Sequence, residues 1–176
     1  MSLTLYDVTA PSFLQTLAAV GGFLDRGLSY CKEAGLDPDA LVETRLAPDM
    51  LPLRFQVVSV THHSAGALEG ALRGGFSPPP DLGALDYAGL RALIGEAVAR
   101  VSAITPDQVN ASADREVDFR VGERSVMRFA TAADFLLSLS MPNFYFHATT
   151  SYDILRMKGA PLGKVDYLGA MRGRRS

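Results

Sequence analysis

The 176-residue chain has no tryptophan, one cysteine and three histidines. A lone Cys31 cannot close an intramolecular disulfide, and without a cysteine cluster there is no thiolate zinc site. That usage fits a reducing, cytoplasmic setting. An excess of one charge is also missing, since 17 Lys and Arg against 19 Asp and Glu leave a net charge of −2. Such a balance lacks the basic footprint that neutralises a phosphate backbone, so we expect no nucleic-acid partner. No apolar run approaches the ~18 residues of a membrane span, and the opening MSLTLYDVTAP carries no basic stretch followed by an apolar one. Neither a secretory leader nor a membrane partner is therefore expected. There are no repeats or low-complexity tracts, and 48% apolar with 20% charged residues is an ordinary globular composition. We expect one domain over residues 1–176 with a buried core.

Pro and Gly divide what is present into helical segments. The first, over 11–34, carries Phe13, Leu14, Leu17, Val20, Phe23, Leu24 and Leu28 at helical spacing and stops at Gly35. Gly21 and Gly22 weaken it by about 1 kcal/mol each, so packing must hold that turn or the helix bends there. The second, over 49–73, starts from Asp49 as its N-cap, with Pro52 in its first turn. Leu51, Phe55, Val58, Ala65, Leu68 and Leu72 trace its apolar face. Residues 76–82, with three successive prolines, read as an extended connector. A third helix over 86–103 places Leu90, Leu93, Ile94, Val98 and Val101 on one side.

The period then changes to two: Val117, Phe119 and Val121 alternate with Asp118 and Arg120, and Gly122-Glu123 supplies a turn before Val126 to Phe129. A three-residue loop, pairing Phe119 with Met127 and Val117 with Phe129, buries the better apolar face. The last helix, over 131–158, begins with an approximate capping box at Thr131 and ends at Gly159. Pro142 predicts a kink or break near Met141. At 1.5 Å per residue the long segments are about 28–42 Å, the size of a four-helix bundle.

All three histidines lie on two of these helices, His62 and His63 on the second and His147 on the fourth. If both helices face one axis, their imidazoles can meet, and neutral imidazole ligates zinc, nickel, copper and iron(II). Hydrogen bonding to buried partners is the alternative use. Adjacent helical residues point about 100° apart, so only one of His62 and His63 aims at the axis. The stripe Leu51, Phe55, Val58, Ala65 favours His62, whereas His63 falls nearer Gln56, Ser59 and Val60. A Ser151/His147/Asp153 triad lacks a nucleophile elbow, and helical phase separates the aspartate. Cys31 on an apolar helix reads as packing. Phe144, Tyr145, Phe146 and Tyr152 read as core or dimer-interface aromatics. Arg172, Arg174 and Arg175 form a basic tip of solvated type.

The run PNFYFHATTSYDILRMKGAPLGKVDYLG, residues 142–169, is similar to the C-terminal signature of a DinB-like family of unknown function, within the DinB/YfiT-like superfamily of metal-binding four-helix bundles. The opening MSLTLYDVTAPSFLQTL, the stretch RLAPDMLPLRFQVVSVTHHSAGA and the hairpin entry DREVDF resemble the same family. The resemblance implies an all-α, DinB-like four-helix bundle in an unusual connectivity, with a small β-hairpin between helices 3 and 4, that pairs as a homodimer. It also implies a divalent transition metal, nickel or zinc, held by one histidine of the second helix and two of the last. His63 matches the second-helix position and His147 the first of the last-helix pair, while Ser151 stands where the third ligand belongs. His62, a water molecule or a partner group would have to complete the set. Some superfamily members are transferases or isomerases acting on small-molecule thiols, where the metal activates a thiolate. Two functions follow: a metal-binding protein with thiol-dependent transferase-type activity, or a non-catalytic ligand-binding or interaction bundle with a degenerate metal site.

Overall fold

The computed structural model describes residues 2–173; Arg174 and Arg175 of the basic tip lie outside the described residues. Helix α1, Leu5–Ala34, begins six residues before the position that its proline suggests. Thr4 caps it: its hydroxyl accepts from the Asp7 N–H at 3.3 Å, while the Asp7 carboxylate accepts from the Thr4 N–H at 3.0 Å. Pro11 is thus enclosed, and the helix runs unbroken through Gly21 and Gly22 to Gly35, at φ 66°. The second rod starts at Leu53 rather than Asp49, with Pro52 in the capping position. It is continuous through α2 (Leu53–Thr61), a π-helical turn (His62–Gly66) and α3 (Ala67–Arg73). The third rod is α4, Tyr87–Ala103, capped by the Asp86 side chain, which accepts from the Gly89 N–H at 2.6 Å. A short α5, Pro106–Ala111, follows with its own capping box at Thr105.

The fourth rod joins α6 (Ala132–Asp134), a second π-helical segment (Phe135–Ser140) and α7 (Met141–Met157). The irregularity expected from Pro142 is this π segment, which ends just before the ring. A proline lacks the N–H that would bond the carbonyl four residues back, and the wider turn accommodates that loss. The Asn143 side-chain amide covers the neighbouring Leu139 carbonyl at 2.7 Å. Finally α8, Lys164–Leu168, returns along α1.

Apart from α8, helix α1 packs mainly on α4 and then on α7, and α2 on α7 and α4, so consecutive rods one and two stand on a diagonal and so do rods three and four. A diagonal step needs a long crossover. One is supplied by residues 35–52, which include a short 3-10 turn at Pro38–Leu41, and the other by α5 and the hairpin. Close approach of α1 and α4 depends on Gly27, where a Cβ would stand 2.5 Å from the Tyr87 hydroxyl. That hydroxyl donates to the Leu24 carbonyl at 2.8 Å. Across the bundle Phe13 meets Phe144 edge-on at 4.9 Å.

The hairpin consists of β2 (Val117–Val121) and β3 (Arg124–Phe129). It pairs Val117 with Phe129 and Phe119 with Met127, as the apolar face demands, yet turns tightly at Gly122-Glu123. A register shift after Phe119 reconciles the two: Val126 is the extra residue of a bulge. The connector after α3 contributes an unforeseen strand, β1 (Gly75–Phe76), parallel to β2, which makes a three-stranded sheet. Phe76 is thereby carried under the hairpin and against the histidines. Cys31 is buried, and burial raises its thiol pKa, which keeps it protonated and unreactive. No helix among the described residues is long and apolar enough to cross a membrane.

Candidate functional site

The second rod is buried nearly all round: Val58, Ala65 and Leu68 of the expected apolar stripe lie in the core, but that stripe is not the only face inside. Leu51 is 47% exposed and Phe55 only half-buried, whereas Gln56, Ser59, Val60 and His63 face the interior. These recur three or four residues apart, so they share a face, and that face lies on α7. His63, 7% exposed, meets His147 there, the rings 5.9 Å apart and within 16° of parallel. His62 stands edge-on to His63 at 5.4 Å on the side toward the connector: its ring stacks on Phe76 at 4.4 Å, and its Nε2–H donates to the Ser77 carbonyl at 2.7 Å. Gly66 makes room for that ring, since a Cβ there would lie 3.1 Å from His62 Nδ1. The structure thus brings His63 and His147 together and commits the Nε2 of His62 to the connector.

The hydrogen bonds around His147 fix its tautomer. Gln56 Nε2 donates to the Leu51 carbonyl at 2.7 Å, which settles the amide orientation and turns Oε1 toward His147 Nδ1 at 2.8 Å. A carboxamide oxygen only accepts, so Nδ1 carries the proton and Nε2 keeps its lone pair. A metal-binding histidine characteristically donates its other ring N–H to such a partner. His63 Nδ1 lies 3.4 Å from the Ser140 hydroxyl, which in turn lies 3.5 Å from the His63 carbonyl, a longer version of the same arrangement. Phe55 and Phe146 stand edge-on to the His147 ring, at 5.8 and 5.2 Å.

Burial dominates the electrostatics. It depresses His63 to a pKa of about 3, helped by His62 and His147 beside it, and His147 to about 4. Burial also lowers His62. Both facing imidazoles are therefore neutral at neutral pH, the form that ligates a cation or accepts a hydrogen bond.

The third donor is wanting. Ser151 is fully buried, and its hydroxyl donates to the His147 carbonyl at 2.8 Å within its own helix. Among the described residues no group of three or more His, Cys, Asp or Glu side chains is placed to hold a metal ion. The donor set fits two protein ligands and not the three that a catalytic zinc uses. Sequence reasoning missed Gln56 and Ser140, which lie behind the two rings, and Asn143, one turn before His147. The Asn143 Nδ2 is spent on Leu139, while its Oδ1 accepts no hydrogen bond among the described residues. Ser59, between Gln56 and His63, has a buried hydroxyl without a partner among the described residues. The available signal was the spacing of polar residues at positions 56, 59 and 63, and of 140, 143 and 147. Of the aromatic group, Phe144 is core, Phe146 is 55% exposed, and Tyr152 packs on Phe23.

No curated protein matches the chain. A crystal structure of a DinB family member protein from Shewanella denitrificans is similar at 25% identity, covering 98% of this chain and 96% of that one, with a TM-score of 0.80. Residues 5–168 match the family described as a domain of unknown function, DUF1993. The chain therefore belongs to the DUF1993 family, a DinB-like family of unknown function.

Proposed function

We propose that the protein is a ligand-binding bundle whose core takes a divalent transition-metal ion, nickel or zinc, on His63 and His147 alone. The observation that carries this reading is the pair of neutral, nearly parallel imidazoles 5.9 Å apart, one with its Nδ1–H bound to Gln56. Two protein ligands hold an ion weakly and leave its other positions to water or a small molecule. Thiol transfer is not part of the proposal, because the Ser151 hydroxyl is spent on backbone and supplies no third ligand. His62, tied to Ser77, stands beside the site as a neighbour rather than a ligand.

Calorimetric titration of the tag-free chain with Ni²⁺ and Zn²⁺ tests this. We expect one ion per chain and loss of binding in His147→Ala, with helicity by circular dichroism kept. Unaltered binding in that variant, or none in the wild type, refutes it. A second reading, a degenerate site that accepts hydrogen bonds from a small uncharged ligand, is favoured by the orphaned Ser59 hydroxyl on the same stripe. It is what would stand if no metal bound. We further propose that the chain works in the cytoplasm as a homodimer, which light scattering in solution checks by its mass.

A further inference from the structure

A cavity of about 300 Å³ lies between α1, α7, the end of α8 and the residues that follow it, lined by Ser12, Gln15, Thr16, Tyr145, Tyr167, Leu168 and Arg172. It is distinct from the histidine pair. Tyr145 precedes His147 by two residues, and two residues turn a helix about 200°, so the two side chains leave α7 on opposite sides. The cavity is built, not incidental. Gln15 Nε2 donates to the Leu168 carbonyl at 2.9 Å. Gly169, at φ 62°, lets the chain press onto α1, where a Cβ would meet that of Ala19 at 3.1 Å. Arg172 then reaches back, its Nη2 donating to the Ser12 hydroxyl at 3.3 Å.

The lining is one-sided in its chemistry. It holds one guanidinium, the hydroxyls of Ser12, Thr16, Tyr145 and Tyr167, and no carboxylate. Thr149 donates to the Tyr167 oxygen at 3.0 Å, which leaves the Tyr167 proton free to donate. Burial raises the Tyr145 pKa, partly offset by Ser12, so that phenol also stays a donor at neutral pH. Donors around one fixed cation select an oxyanion, and the planar guanidinium fork matches a carboxylate. Volume narrows the class: a water molecule takes about 30 Å³, so a bare inorganic ion would leave most of the space unfilled. Ligand pockets begin at about 300 Å³.

We propose that this cavity is a second binding site, for a compact organic carboxylate, gripped by Arg172 and oriented by the hydroxyls of Ser12, Thr16, Tyr145 and Tyr167. It is independent of what the histidines hold. The test is titration of the full chain with sodium benzoate, followed by backbone amide NMR, with benzamide as the neutral analogue and inorganic phosphate as the small oxyanion. Benzoate should give saturable shifts at residues 12–16, at 145 and at 167–172, and both comparators should bind at least about tenfold more weakly. Arg172→Gln, at an exposed position, should lower benzoate affinity about tenfold with the spectrum otherwise unchanged. Thr16→Val, nearly isosteric, should weaken it less. No saturable shift, shifts confined to other residues, benzamide or phosphate binding as tightly as benzoate, or an unaffected Arg172→Gln variant would each overturn the proposal.

Discussion

Acid should unfold this protein through its histidines, and the size of the effect follows from their burial. An unfolded chain binds protons at each histidine near pKa 6.5, whereas the folded state resists to about 3 at His63 and about 4 at His147. Between those limits the unfolded state holds more protons, so stability rises with pH. The contribution is complete above about pH 6.5 and is lost as pH falls toward 4. From about pH 7.5 to about pH 4.5 each histidine costs roughly 2–3 kcal/mol, or about 5 kcal/mol together. That is comparable to the whole stability of a small domain, about 5–15 kcal/mol. Carboxylates held low by hydrogen bonds, Asp7 to Thr4 and Asp118 to Ser125, lose their contributions mainly below that window. Urea unfolding at half-unit pH steps is the assay, with a constant denaturant slope and a gain approaching two protons per molecule on unfolding near pH 5. A midpoint that stays flat across the range, or that shifts as much in a His63→Leu/His147→Leu double variant, would refute burial of two neutral imidazoles.

Other outcomes can be checked alongside. Gln56→Leu removes the acceptor that fixes His147, so nitrogen NMR should show the ring losing its protonated-Nδ1 preference, and metal affinity should fall about 10–100-fold. Ser151→Ala deletes only a hydroxyl bonded within its own helix. Its melting temperature should move little and its metal affinity not at all; a drop in affinity would mean that Ser151 is a ligand. Gly27→Ala places a methyl 2.5 Å from the buried Tyr87 hydroxyl, so that ring or the backbone must shift and its bond to the Leu24 carbonyl is disturbed, and thermal unfolding should report a loss of about 2 kcal/mol.

Much of the bundle was legible because its signals are local. The cap at Thr131, the stop at Gly35, and the apolar spacing of α1 and α4 are decided within a few residues by backbone hydrogen-bond needs and glycine geometry. The hairpin pairing was legible for the same reason, since alternation fixes which residues share a face. Thr4 was overlooked as a cap because Pro11 drew the start of α1 inward.

The burial of a second face of the second rod was not legible from apolar content. Val58, Ala65 and Leu68 of the apolar stripe are core and only Leu51 and Phe55 sit at the rim, but Gln56, Ser59 and His63, which hydrophobic periodicity reads as surface, are buried as well. Burial of Gln56 and His63 is tolerable because a partner rod supplies hydrogen bonds, and those partners, His147 and Ser140, lie about eighty to ninety residues away. Sequence alone therefore determined the rods, several of their stops and the two positions, 63 and 147, that resemblance singled out, but not where the first two rods begin. Tertiary packing alone decided that His63 and not His62 meets His147, that Ser151 turns back on its own helix, and that Arg172 closes a cavity over Ser12. Each of those depends on atoms far apart in the chain, which no local pattern records.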